Sequence, residues 1–355
     1  MNLLNLGFSQ FFEDNFGRYR GDNLRPLRIA RQHKNLYIGL DETGEWQLDL
    51  AGRFRHEADN GGSFPTVGDW VAVAAREENH GTIKALLPRK SVFLRKEAGL
   101  RTAQQAVAAN IDTIFIVNGL DGNHNLRRLE RYLTLAYESG AAPVILLNKS
   151  DLCDDIEAVT SEVETLAIGV PVHPVSALSG DSLSPLAEYL TPGRTAAFIG
   201  SSGVGKSSLI NRLLGEERML VQEISEQDAA RGRHTTTHRE LILLPEGGMV
   251  IDTPGMRELQ VWGDDDGLKQ AFDDIEALAS GCRFRDCAHK GEPGCAVQAA
   301  VETGALDADR LRSYHKLKKE LRYLEAKQTQ KASLVEKSRW KQISLLQRAH
   351  KKQGM

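Results

Sequence analysis

Residues 200–207 read Gly-Ser-Ser-Gly-Val-Gly-Lys-Ser; they follow the apolar run Ala196–Ile199 and open the helical run Ser208–Leu214. Strand, glycine-rich turn and helix in that order admit few folds. The glycines let successive backbone N–H groups turn inward, and the helix N-terminus behind them favours anions. A loop of this kind belongs at the carboxyl end of a parallel strand, so the chain has to build an α/β sheet. Gly200, Ser201, Ser202, Gly203, Val204, Gly205 and Ser208 are then the residues that wrap a phosphate chain. Lys206 is placed to reach the β- and γ-phosphates, and the Ser207 hydroxyl to bind Mg2+.

The surrounding pattern agrees. Apolar runs at 111–117, 143–147, 172–175, 195–199, 239–244 and 249–251 alternate with helical stretches such as Leu126–Ser139 and Pro185–Leu190. That alternation predicts a mostly parallel sheet covered by helices. Residues 25–98 differ: short strand-like runs at 36–40, 46–50, 70–73 and 82–87 are divided by Gly and Asp turns, with no helical pattern between them. They predict a small β-barrel of the OB type. After about residue 264 the chain reads as helices. The 355 residues exceed one ordinary core. The expected division is an N-terminal extension over 1–24, a barrel over 25–98, an α/β domain over 99–264, and a helical region with a basic tail over 265–355.

Asp252-Thr253-Pro254-Gly255 follows the apolar strand Met249–Ile251. Asp252 at the end of such a strand can hold Mg2+, and the Gly255 amide can sense a γ-phosphate. Between this motif and the phosphate loop lies Gly232-Arg233-His234-Thr235-Thr236-Thr237, whose threonines can supply a second Mg2+-binding hydroxyl. Guanine is read by an Asn-Lys-x-Asp box, whose carboxylate accepts from two donors that adenine lacks. No asparagine occurs after Asn211, so the box can only be Asn148-Lys149-Ser150-Asp151, after the strand Val144–Leu147. Ser176-Ala177, ending the strand Val172–Val175, is placed to offer an amide to the guanine O6. Base box, O6 loop, phosphate loop, threonine loop and Asp-Thr-Pro-Gly then follow one another in a circular permutation of the usual GTPase order. Nucleotide chemistry with GTP, GDP and Mg2+ is the expectation.

Three of the four cysteines fall within fourteen residues: Cys282-x4-Cys287-x-His289-x5-Cys295 supplies three thiolates and one imidazole. These close a tetrahedral Zn2+ site with no open position, so the metal staples and does not catalyse. Hydrophobic content of 41% and charged content of 26% suit a soluble globular chain. No apolar run approaches a membrane span, and residues 1–23 do not form a signal peptide. A cytoplasmic monomer without membrane contact is expected. Lys316–Lys352 holds twelve Lys or Arg against three Glu, a balance that favours a polyanion, and Tyr323 and Trp340 are available to stack on bases.

These motifs resemble one family: the circularly permuted, ribosome-associated GTPases called RsgA or YjeQ. The resemblance covers residues 25–300 and rests on the permuted order, Gly-Arg-His-Thr-Thr-Thr, Gly-Ser-Ser-Gly-Val-Gly-Lys-Ser and the cysteine cluster after Asp-Thr-Pro-Gly. It implies an N-terminal OB-fold, a central permuted GTPase domain and a C-terminal zinc domain. It also implies action in late maturation of the small ribosomal subunit, contact with its rRNA, and GTP hydrolysis stimulated by the subunit. The chain departs from the family in lacking a basic N-terminal extension and in its long basic C-terminal tail. Met256 occupies the position where many GTPases carry the Gln that orients water. Intrinsic hydrolysis is therefore expected to be slow, with His234 or His238 beside Thr236 and Thr237 as the catalytic candidates; the resemblance favours the same loop. The alternative is a GTP-controlled, RNA-binding placeholder that hydrolyses little.

Overall fold

The computed structural model describes residues 2–33, 36–52, 54, 64–96, 104–122, 124–179, 183–217, 239–252 and 266–323. The chain forms two compact units, Met1–Arg95 with Gln105–Gln260, and Lys96–Gln104 with Val261–Met355.

In the first unit, β1 (Leu24–Gln32), β2 (Tyr37–Asp41), β3 (Gly44–Leu50), β4 (Trp70–Ala75) and β5 (His80–Leu86) close into a barrel. β1 pairs antiparallel with β2 and β4, β3 pairs parallel with β5, and β4–β5 completes the ring. Alternation along the strands buries Leu27, Ile29, Trp46, Leu48, Val71, Val73 and Ile83 inside it. The nine-residue β1 was not legible in the sequence because Arg, Pro and Gln interrupt its apolar pattern. A register shift between Ile29 and Arg31 re-aims its end. Beyond it Arg31 pairs with Glu240 of β12 (Glu240–Leu243), so the barrel strands continue one eleven-stranded sheet.

The segment before the barrel packs against it. α1 (Gln10–Phe16) carries Phe12, and with Phe8 it covers Trp70 at ring separations of 5.9 and 4.7 Å. Beneath them Arg28 is 1% exposed and donates to the carbonyls of Leu6 at 2.5 Å, Asn110 at 3.0 Å and Gly68 at 3.3 Å. Burial pulls its guanidinium down to about 10, against the carboxylates of Asp112 and Asp69. The residues read as an extension are therefore built into this unit.

β6 (Val92–Lys96) and β7 (Gln104–Ala109) make a separate two-stranded sheet. Beyond them β8 (Thr113–Gly119), β9 (Ala142–Asn148), β10 (Val172–Val175), β11 (Thr195–Ile199), β12 (Glu240–Leu243) and β13 (Met249–Asp252) align in the order β10-β9-β8-β11-β13-β12. All are parallel except β12, which runs antiparallel to β13. β8 and β11 are buried along their whole length, as central parallel strands covered on both faces must be. The chain starts at β8, moves outward to β10, then returns to place β11 on the other side of β8. That reversal opens the crevice where α/β sheets bind ligands. The helices α2 (Leu126–Ser139), α3 (Ile156–Leu166) and α4 (Lys206–Leu214) belong to the same sheet domain. α2 is capped by the Asn125 side chain and ended by left-handed Gly140. The helical expectation at Pro185–Leu190 is met only by a 3-10 turn, Ser184–Tyr189.

The second unit contains α5 (Asp266–Ala271), α6 (Asp273–Ala279), α7 (Ala296–Glu302) and a helix, α8, over 308–323. Phe272 and Tyr314 meet edge-to-face at 5.6 Å within its core, and Arg310 grips Asp274 at 2.6 and 2.7 Å.

Candidate functional site

The phosphate loop follows β11 and ends where α4 begins. Gly200, Gly203 and Gly205 take φ of +150°, +77° and +95°, which side chains rarely adopt. Space demands glycine as well: a β-carbon on Gly200 would collide with the Val117 carbonyl, and one on Gly205 with the Asn148 amide. Lys206 folds over the loop, donating to the carbonyls of Gly200 at 2.8 Å and Ser201 at 2.6 Å. A cation thus stands over inward-turned backbone, a cradle suited to phosphate. Ser207 and Ser208 occupy the first turn of α4, half-buried.

Asn148 joins three of the expected motifs. Its side chain is 1% exposed, donates to the Val204 carbonyl at 2.7 Å and accepts from the Ala177 amide at 3.2 Å. The base box, the Ser176-Ala177 loop and the phosphate loop are thereby locked together. The Ala177 amide is engaged by Asn148, so reaching a guanine oxygen requires that bond to be shared or given up. Asp151 is exposed, and Ser176 Oγ donates to its Oδ1 at 2.5 Å. Lys149 adopts a left-handed backbone and pairs its ammonium with Asp121.

Asp252 ends β13, half-buried. Burial and the facing Glu240 push its carboxyl up to about 6, while Lys206 draws it down. Once ionised, a carboxylate of this kind offers a hard oxygen donor of the type Mg2+ prefers. Gly255, Met256, His234, Thr235, Thr236, Thr237 and His238 lie outside the described residues.

Two contacts went unread in the sequence. Arg128, in the first turn of α2, donates to Ser201 Oγ at 2.9 Å. Asp121 supplies the partner of Lys149. Both sit just beyond the carboxyl end of β8, and that position beside the crevice is the one signal that could have drawn attention to them.

In the second unit the ligand atoms of Cys282, Cys287, His289 and Cys295 lie within 4.8 Å of one another. His289 Nδ1 is 3.6 Å from Cys282 Sγ and 3.5 Å from Cys295 Sγ, and those two sulfurs are 3.8 Å apart. A tetrahedral ion with bonds of about 2.3 Å to sulfur and about 2.05 Å to nitrogen implies edges of about 3.8 and about 3.6 Å. The edges among Cys282, His289 and Cys295 have the dimensions of a metal site, and Cys287 lies close enough to complete it. Outer contacts hold it: Glu292 accepts from the Ala288 and Lys290 amides at 3.1 and 2.7 Å, and Gln298 donates to the His289 carbonyl at 2.6 Å.

A base box after β9, a second loop after β10, a phosphate loop after β11 and an aspartate ending β13, met in that chain order, define a circularly permuted P-loop GTPase. The model of the RsgA GTPase family matches residues 86–262. The chain is 45% identical to the small ribosomal subunit biogenesis GTPase RsgA of Opitutus terrae, across 99% of this chain and 98% of that one. It is 47% identical to the protein of the same name from Xylella fastidiosa, across 84% and 86%. Its structure is similar to YjeQ from Thermotoga maritima, with a TM-score of 0.64 at 30% identity, covering 84% of this chain and 98% of that one. It is also similar to YloQ, described as a circularly permuted GTPase, with a TM-score of 0.62 at 27% identity, covering 84% and 95%. The chain belongs to the RsgA family, and it is a GTPase.

Proposed function

We propose that this chain hydrolyses GTP to GDP and phosphate under stimulation by the small ribosomal subunit and thereby assists the subunit's late maturation in the cytoplasm. The observation that carries this reading is the lock made by Asn148, which holds base-recognition loops and phosphate loop at one crevice. The names of the relatives supply the ribosomal context.

Asp151 accepts from the guanine N1–H and N2–H2 groups, held in place by Ser176. The loop amides of residues 200–205 and Lys206 bind the phosphates. Ser207 and Asp252 hold Mg2+, with a threonine of 235–237; when bound, that ion neutralises charge on the β- and γ-phosphate oxygens. Gly255 senses the γ-phosphate. With Met256 unable to orient water, His234 takes that role, and Thr236 and Thr237 complete the loop. Cys282, Cys287, His289 and Cys295 hold one Zn2+, which staples the second unit. The basic segment from Lys316 onward contacts rRNA, and the protein acts as a monomer.

Multiple-turnover GTP hydrolysis with and without purified small subunits tests the proposal. A large stimulation by the subunit is expected, and His234→Ala is expected to abolish most of it while sparing GTP binding. Equal rates with and without subunits would reject the reading.

A further inference from the structure

Arg31, Glu240 and Asp252 stand in one row across three strands. β1 meets β12 at Arg31 and Glu240, and β12 meets β13 at Glu240 and Asp252. Residues directly opposite one another on antiparallel strands project to the same face, with Cβ atoms about 4.5–5.5 Å apart. Arg31 Nε lies 3.9 Å from Glu240 Oε1, while Arg31 Nη2 holds Glu45 at 2.6 Å. Glu240 keeps only 26% of its side chain exposed, so water screens its charge incompletely. On the other side of Asp252, Lys206 supplies a second cation. From barrel to phosphate loop the row therefore runs cation, anion, anion, cation.

We infer that Glu240 is a positioning residue for Mg2+ at the nucleotide site, and that Arg31 of the barrel sets how strongly it acts. The inference rests on the reading that Ser207 and Asp252 hold the ion. Glu240 is one strand removed from Asp252, and its charge deepens the field in which a divalent cation sits. Arg31 offsets part of that field from the other side. The sequence adds a reason for placing such a pair here. The threonine loop runs into β12, and Asp-Thr-Pro-Gly begins at the last residue of β13, so the barrel touches the sheet at the level where both nucleotide-sensing segments attach.

A purely mechanical peg between barrel and sheet predicts something different. Loss of either member of a peg loosens the site in one direction. Loss of either member of a charge row moves Mg2+ in opposite directions, because one removes a negative charge and the other a positive one.

The test uses the full chain, a fluorescent GDP analogue and buffered free Mg2+, and reads the Mg2+ midpoint for nucleotide retention. Glu240→Gln is expected to raise that midpoint roughly fivefold, and Arg31→Met to lower it by a smaller factor, because Arg31 stands a strand further away and Glu45 offsets part of its charge. Arg31→Lys keeps the charge and should behave as the parent does. In the Glu240→Gln background the Arg31→Met change should keep its downward shift, because separate charges act additively on the ion. At saturating Mg2+ every variant should hold nucleotide like the parent. Midpoints unmoved, both shifted in one direction, or a loss that persists at saturating Mg2+ would overturn the charge row while leaving the site reading intact. A parent protein whose nucleotide retention ignores Mg2+ would overturn the site reading, and the row with it.

Discussion

Asn148 donates its side-chain amide to the carbonyl of Val204, 56 residues further along the chain, at 2.7 Å. The same side chain accepts from Ala177. One buried asparagine thus determines how far the base-recognition loops stand from the phosphate loop. Its removal strands a buried carbonyl and a half-buried amide together, and an unsatisfied buried group costs about 1–3 kcal/mol. Asn148→Ala is expected to weaken GDP and GTP alike by at least about tenfold and to lower the melting temperature by a few degrees. Fluorescent-nucleotide titration and calorimetry check this; unchanged nucleotide affinity would show that the loops keep their spacing without the lock.

Asp151 carries the base preference. Two hydrogen bonds to a charged acceptor are worth about 1.5–3 kcal/mol each. Asp151→Asn turns part of the acceptor into a donor. GTP should bind about ten- to a hundredfold more weakly, and xanthosine triphosphate, with a carbonyl at position 2, should bind better than GTP. Competition between the two nucleotides measures the exchange. Parent-like GTP binding would remove Asp151 from the base site.

The Asp252 carboxyl, pushed up to about 6 by burial and Glu240, gives a pH dependence with a definite sign. Above that value the group is ionised and available to Mg2+. Below it, in the range where an isolated Asp would still be ionised, Mg2+ has to displace a proton. Apparent Mg2+ affinity for the nucleotide complex should therefore fall about tenfold per pH unit below about 6, and raising Mg2+ should restore it. Mg2+ titrations between pH 5 and pH 8 provide the check. A flat profile would mean that Asp252 does not hold the ion.

The cluster in the second unit should bind about one zinc per chain, and a closed four-ligand site fails when one ligand is lost. Cys287→Ala is expected to lose the metal and soften the local fold. Guanine-nucleotide binding should survive, because the phosphate loop belongs to the other unit. Metal analysis together with nucleotide titration tests both halves. Zinc retained at the parent's level would remove Cys287 from the ligand set.

Short, contiguous patterns were readable from the residues alone. Glycine spacing at 200–205 marked a turn between strand and helix, and the structure gives Gly200, Gly203 and Gly205 positive φ there, because the loop geometry is local. The permuted motif order followed from linear sequence, since each motif sits at the end of an apolar run and no asparagine follows Asn211. The cysteine cluster was legible because all its ligands come from fourteen residues, and the structure brings their ligand atoms within 4.8 Å of one another. Tertiary structure decided the rest. β1 was hidden because its barrel pairing tolerates Arg and Pro where alternation would ask for apolar residues. The first residues became part of the fold only when Phe8 and Phe12 found Trp70 and Arg28 found the Leu6 carbonyl. The Asn148–Val204 and Arg31–Glu240 contacts join residues 56 and 209 positions apart in the sequence, given by 204 − 148 and 240 − 31. No local propensity encodes such distances. The first contact arises when parallel strands from separate stretches bring their carboxyl ends to one crevice, the second when β1 of the barrel pairs antiparallel with β12.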